Sequence, residues 1–151
     1  MRLDYLELVP SEVYDWRWRA QDLELWLRDV AERQGRKLGR LKILAVTDIE
    51  LLERNREFLD HDTYTDIITF DYSNKAKVKG ELWISIDRIK ENASERKLLV
   101  EEELLRVIAH GLLHLCGQGD KTRIESKGMQ EKENEALRAW KNRGVPRGTI
   151  G

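Results

Sequence analysis

The sequence predicts a single domain of mixed helices and strands, with a histidine-bearing helix as its functional centre. A length of 151 residues is typical of one domain that buries its own core. Short β-prone segments at 41–46, 65–72 and 81–86 alternate with longer segments of helical periodicity. We therefore assign residues 1–141 to one domain and 142–151 to a flexible C-terminal tail.

Composition excludes some classes of protein and leaves others open. The net charge of −1, from 27 basic and 28 acidic residues, neither indicates nor excludes a nucleic-acid partner. The single cysteine, Cys116, cannot form an internal disulfide, and no signal-peptide pattern opens the chain. Its apolar runs are shorter than the roughly 20 residues of a membrane-spanning helix. We expect a soluble, cytoplasmic protein without a membrane partner.

The N-terminal third predicts an edge strand and an amphipathic helix. Residues 3–8 alternate weakly and end at Pro10, as an edge strand does. Ser11 has the chemistry of a helix N-cap, and apolar residues then recur at helical spacing up to Gly35. The predicted helix includes tryptophans at positions 16, 18 and 26. Because such aromatics usually form core, we expect them to pack inside rather than stack on nucleic-acid bases.

The middle of the chain predicts three strands and one short helix. Strand two covers 41–46, and Thr47 or Asp48 is expected to cap a helix that runs to the polar break at 60–62. Strands three and four, at 65–72 and 81–86, are joined by turn-forming residues, which predicts a hairpin. Three lysines in this turn are expected to be solvated.

The C-terminal half predicts helices. Asp87 is expected to cap a short helical piece through Asn92, and Ser94 to begin the buried helix that ends at Gly117. A looser, highly charged helix follows and extends to about Trp140.

The buried helix contains the candidate metal site. His110 and His114 lie four residues apart, so their rings project from one face about one turn apart. The glycine-rich segment 117–119 allows the chain to reverse and to return the carboxylate of Asp120 towards both rings. Two nitrogens and one oxygen leave coordination positions open, as in a catalytic zinc site. We predict one Zn²⁺ per chain, with another divalent ion such as Ni²⁺ as the alternative.

The residue after the first histidine bears on the chemistry. Zinc peptidases with the H-E-x-x-H motif have a glutamate there as general base, whereas this chain has Gly111. One of the three consecutive glutamates at 101–103 is an alternative base. A bound metal can also generate the nucleophile from its own water. We therefore predict a metallohydrolase, and a metallopeptidase remains an alternative.

The segment 110–120, HGLLHLCGQGD, resembles the signature H-G-x-L-H-L-x-G-Y-D-H of the YbeY family of bacterial rRNA maturation factors. Upstream, TDIITF at 65–70 is similar to the family's T-D-V-L-S-F strand, and GELWIS at 80–85 to its G-D-I-x-I-S strand. Asn55 lies where the family has an asparagine. The resemblance spans residues 40–140.

The resemblance implies an α+β domain with a small mixed β-sheet of about four strands packed with helices. It also implies a zinc-type metal held by three side chains and endoribonuclease activity on single-stranded RNA. The implied role is maturation of the 16S rRNA 3′ end and ribosome quality control, with rRNA and the ribosome or its small subunit as partners.

Two positions depart from the family pattern. Asp120 occupies the place of the third histidine, and carboxylate oxygen is an acceptable zinc ligand. Leu59 occupies the place of an arginine thought to act on phosphate. Another cation must then replace it, and our candidates are Lys121 and Arg56, with the loop histidine His61 as a third.

Three further residues receive roles. Thr65 and Asp66, at the start of strand three, are expected to border the cleft and to bind substrate. Cys116 should point away from the histidine rings and pack against neighbouring side chains.

The alternative to an enzyme is a ribosome-assembly or RNA-binding factor whose metal is structural.

Overall fold

A computed structural model of the chain describes residues 6–59 and 65–145. The elements in chain order are β1 (Leu6–Leu8), α1 (Ala20–Arg33), β2 (Leu38–Val46), α2 (Asp48–Leu59), β3 (Ile67–Asp71), β4 (Val78–Ser85), α3 (Ile86–Arg96), α4 (Val100–Leu115) and α5 (Arg123–Asn142). In this part of the chain, no helix has the length and apolar character needed to cross a membrane.

The strands form one mixed sheet in the order β1-β2-β4-β3. β1, β2 and β4 are parallel, whereas β3 runs antiparallel to β4 and completes the predicted hairpin. The predicted α+β class, with four strands packed against helices, is confirmed. β1 lies at an edge as predicted, although residues 3–5 of that prediction lie outside the described residues.

Helix α4 packs against β3 and β4 of the sheet and against the helices α1, α3 and α5. Its apolar residues, among them Leu104, Ile108 and Leu112, are fully buried in the main core. The helix packs tightly on the sheet at Gly111, where a Cβ atom would lie 2.8 Å from both Ile67 Cδ1 and Leu82 Cδ2. This close packing holds the histidine-bearing helix in place against β3 and β4.

The segment before α1 differs from the prediction, because the helix begins at Ala20 rather than near Ser11. The Ser11 hydroxyl donates to the Ala45 carbonyl at 2.9 Å, which ties the segment to β2 instead of capping a helix. The Trp16 indole N–H donates to the Val9 carbonyl at 2.9 Å. These tertiary hydrogen bonds outweigh the local helical pattern.

The tryptophans nevertheless pack as expected. Trp26 is fully buried, and Trp18 packs edge-to-face on Trp140 with ring centroids 5.8 Å apart. Trp16 is partly buried against the same core.

The boundary between α3 and α4 was also misplaced. The N-cap of α3 is Ser85, whose hydroxyl accepts from the Arg88 N–H, so the expected Asp87 cap was wrong. Ser94 lies within α3, and α4 starts at Val100. Because β4 leads into α3 without a loop, the last residue of the strand, Ser85, is also the N-cap of the helix.

Helix α5 starts with a capping box between Thr122 and Glu125. It ends at Asn142, close to the predicted end of the domain. Residues 146–151 of the predicted flexible tail lie outside the described residues, so the tail remains a prediction.

Candidate active site

The turn after α4 has the predicted course. Gly117 adopts a φ of 106°, which favours glycine, and it follows Cys116, the C-cap residue of α4. The chain reverses and brings Asp120 Oδ2 within 3.3 Å of His110 Nε2. We expected the glycines to return this carboxylate towards both histidine rings, and the structure places it beside the ring of His110.

Glu133, from α5, holds the opposite edge of the His110 ring. Its Oε2 lies 2.7 Å from His110 Nδ1, and its side chain is only 9% exposed. When Nδ1–H donates to this carboxylate, Nε2 is left as the acceptor that faces Asp120. A histidine that coordinates a metal commonly has its second nitrogen held in this way.

The electrostatics of His110 follow from these partners. The pKa of His110 is raised, first by the hydrogen bond to Glu133 and further by the charges of Glu133, Asp120 and Asp66. Burial opposes the shift. Without a competing cation, the ring is thus stabilised in its protonated form between carboxylates.

His114 lies one turn after His110 and lines the same cavity, with an exposed side chain. Among the described residues, no group of three or more histidine, cysteine, aspartate or glutamate side chains forms an arrangement that could hold a metal ion. Of the three predicted ligands, His110 and Asp120 are in contact with each other. The ligand roles of His110, His114 and Asp120 remain predictions.

One cavity of about 470 Å³ contains this group and is open to solvent. Thr65 and Asp66 line it, next to Ile67 at the start of β3. Burial raises the pKa of Asp66, while the charge of His110 opposes the shift. The cavity therefore contains both residues that we expected to bind substrate, and their roles remain predictions.

The cavity is also lined by two arginines, Arg96 and Arg106, that the sequence did not single out. Arg96 contacts Glu103, and Arg106 donates to Glu133 Oε1 at 3.0 Å. Neither Lys121 nor Arg56 is among the described residues that line the cavity. Their proposed roles as phosphate partners stay predictions, and the third candidate, His61, lies outside the described residues.

The alternative bases are separated by the fold. Glu103 lines the cavity but is bound to Arg96, whereas Glu101 and Glu102 line a different groove. Gly111 faces Ile67 and Leu82 of the sheet, so the position of the peptidase glutamate is closed by packing.

Sequence reasoning missed Glu133, Arg96 and Arg106. Arg106 lies four residues before His110, and this helical spacing could have identified it. Glu133 lies on another helix, 23 residues after its partner, and no local spacing signals that contact.

Cys116 packs partly against the main core, as expected. Burial raises the pKa of its thiol to about 11. At pH 8 we expect iodoacetamide to alkylate it roughly 100-fold more slowly than a free cysteine, since only the thiolate reacts. Mass spectrometry of the intact chain would follow the reaction, with the urea-unfolded chain as control. Equal rates in the folded and unfolded chain would contradict the prediction.

The fold and the cavity together define a class of protein. An α+β domain whose open cavity contains histidines, carboxylates and arginines has the acid–base and anion-binding groups of a hydrolase.

The comparisons with known proteins identify the family. The model of the family "Endoribonuclease YbeY" matches residues 13–141. The chain is 47% identical over 125 residues to the endoribonuclease YbeY of Cytophaga hutchinsonii, across 82% of this chain and 87% of that protein. It is 46% identical over 112 residues to that of Bacteroides thetaiotaomicron, across 74% and 82%.

A solution structure of a protein from Thermotoga maritima matches with a TM-score of 0.62 and 26% identity, over 92% of this chain and 89% of that one. The chain belongs to the YbeY endoribonuclease family, as the sequence motifs predicted. This confirms the prediction of a hydrolase that acts on RNA.

Proposed function

We propose that the protein is a metal-dependent endoribonuclease that cleaves single-stranded RNA, with His110, His114 and Asp120 as metal ligands. The observation that carries the proposal is the His110 ring, held at Nδ1 by buried Glu133 and directed at Nε2 towards Asp120. Support also comes from the family to which the chain belongs.

The donor set suits Zn²⁺ or a similar divalent ion, since it consists of imidazole nitrogen and carboxylate oxygen. His110 and Asp120 already lie together, and the exposed His114 has no hydrogen bond in the described structure that would prevent its side chain from turning inward. A metal bound there supplies Lewis acidity and an activated water. Other charged groups of the chain then orient the RNA.

The carboxylates have separate tasks. Glu133 keeps the proton on His110 Nδ1 and leaves Nε2 free to coordinate. Asp66, whose pKa burial raises, lies in the same cavity and can exchange a proton with the attacking or leaving oxygen. The openness of the cavity to solvent suits an extended single strand.

We further propose that the substrate is rRNA, that the reaction matures the 16S rRNA 3′ end, and that the ribosome or its small subunit is the partner in the cytoplasm. These proposals follow from family membership.

The test measures metal content and cleavage of a single-stranded RNA oligonucleotide, beside a generic peptide. His114→Ala and Asp120→Ala should each lower Zn²⁺ affinity by more than the roughly 10- to 100-fold typical of outer-shell partners, and should abolish cleavage. Asp120→His should retain both properties, because imidazole can replace the carboxylate as a ligand. Asp29→Ala removes a carboxylate from the surface of α1 and should change neither.

Cleavage of RNA that persists after complete metal removal would refute the metal-dependent mechanism. A folded wild-type protein that binds ribosomes without cleaving RNA would support the assembly-factor alternative instead.

A further inference from the structure

Arg96 ends α3 at the wall of the candidate active-site cavity. Its Nη1 donates to both carboxylate oxygens of Glu103, at 3.1 and 3.4 Å. The Glu103 side chain is 2% exposed, whereas that of Arg96 is 56% exposed. In this ion pair, the buried Glu103 carboxylate anchors the Arg96 guanidinium, which faces solvent.

The anchor is firm for a physical reason. A buried carboxylate is costly without a paired charge, and burial raises the pKa of Glu103 while Arg96 opposes that shift. The arginine is thus restrained before any ligand arrives, so less side-chain entropy is lost when it binds one.

Arg96 also has donors to spare. Within the described residues, its Nε and Nη2 have no hydrogen-bond partner. The other arginine of the cavity differs, because Arg106 uses Nη1 on Glu133 and Nη2 on Asn134. Its side chain is 23% exposed. Arg106 is therefore bound to two residues of α5, whereas Arg96 has N–H groups that can still bind a ligand.

The spare donors match one ligand chemistry. A guanidinium presents its N–H groups as a planar fork that fits the oxygens of a phosphate. The cavity that Arg96 lines also contains His110, His114 and Asp120, so a phosphate held there lies within the same substrate-binding space.

We propose that Arg96, anchored on Glu103, binds a backbone phosphate of the single-stranded RNA substrate next to the histidine site. The proposal rests on the proposed function and adds a phosphate subsite to it.

The test uses the double variant Arg96→Gln/Glu103→Gln. It removes one positive and one negative charge, so the net charge is unchanged and no unpaired charge is buried. We measure binding of a single-stranded RNA oligonucleotide to the metal-free protein by fluorescence anisotropy across salt concentrations. The slope of log K against log[salt] should become shallower by about 0.7, the value for one phosphate contact on a single strand.

The matched control is Lys90→Gln/Glu91→Gln. It removes one charge of each sign from exposed positions of the same helix, outside the cavity lining. Its slope and affinity should equal those of the wild type. Metal content should be the same in all three proteins, and KM for RNA should rise in the Arg96 variant alone.

A second measurement needs no variant. Phenylglyoxal modifies exposed arginines, and bound single-stranded RNA should slow the modification of Arg96, as read by peptide mass spectrometry. RNA binding that leaves Arg96 unprotected would overturn the proposal.

The outcomes separate the two proposals. If the wild type binds and cleaves RNA but both double variants behave alike, the phosphate subsite is wrong and the proposed function stands. If the wild type neither binds nor cleaves RNA, the proposed function fails and this proposal with it.

Discussion

Glu133→Gln is expected to lower Zn²⁺ affinity by about 10- to 100-fold and to reduce RNA cleavage with it. The Glu133 carboxylate accepts from His110 Nδ1 at 2.7 Å, which keeps Nε2 available for a metal. A glutamine amide can instead donate to Nδ1, and the proton then moves to Nε2, where it blocks coordination. The pKa of His110 should also fall, since Glu133 is the main cause of its rise. Competition with a chromophoric chelator would measure the affinity.

The control for this change is Glu135→Gln on the same helix. Glu135 is an exposed partner of Arg33 and lies away from the cavity, so its loss should leave Zn²⁺ affinity unchanged. Thermal melting of the metal-free proteins separates a loss of metal from a loss of fold, because Glu133 also binds Arg106. Unchanged affinity in folded Glu133→Gln would show that this carboxylate does not position the ring.

Gly111→Ala is expected to lower the free energy of unfolding by about 1–3 kcal/mol, the usual cost of overpacking a core. The added Cβ would lie 2.8 Å from Ile67 Cδ1 and from Leu82 Cδ2, and Leu82 is fully buried. To relieve this contact, either the ends of the Ile67 and Leu82 side chains must move or α4 must shift away from the sheet. Because α4 includes both histidines, a shift of the helix would lower RNA cleavage more than the loss of stability alone explains. Urea titration and cleavage assays would measure the two effects.

Gly128→Ala provides the matched control inside α5. There the nearest atom to the new Cβ is Gln118 Nε2 at 3.4 Å, an ordinary contact. The substitution should raise the free energy of unfolding by roughly 0.5–1 kcal/mol, because alanine loses less conformational entropy in a helix. Equal effects at Gly111 and Gly128 would contradict the close packing of α4 on the sheet.

The same packing bears on the peptidase alternative. Glutamate at position 111 would restore the H-E-x-x-H pattern, but its side chain would have to enter the contact with Ile67 and Leu82. A buried, unpaired carboxylate at this contact is incompatible with a stable core. Close packing thus explains the glycine between the histidines, and it leaves no space for the glutamate that peptidases of the H-E-x-x-H type use as general base.

Local patterns predicted most of the elements because their causes are local. The β-branched segments that became β2, β3 and β4 needed no distant partner to be recognised, and neither did the apolar periodicity of α4. Thr47 or Asp48 was predicted to cap α2, and the Thr47 hydroxyl accepts from the Glu50 N–H at 3.1 Å. Boundaries failed where tertiary hydrogen bonds intervened, as at Ser11, which binds Ala45 of β2 instead of capping a helix.

The sequence by itself determined the family, the order of most elements and the proximity of His110 and Asp120, since a helix and a glycine turn define that geometry over 11 residues. Only the tertiary structure decided what surrounds them. Glu133 reaches His110 because α5 packs on α4, and Arg96 reaches the cavity through buried Glu103. The physical reason is that side chains on different helices meet only when the core assembles, and no spacing within one helix encodes such a contact.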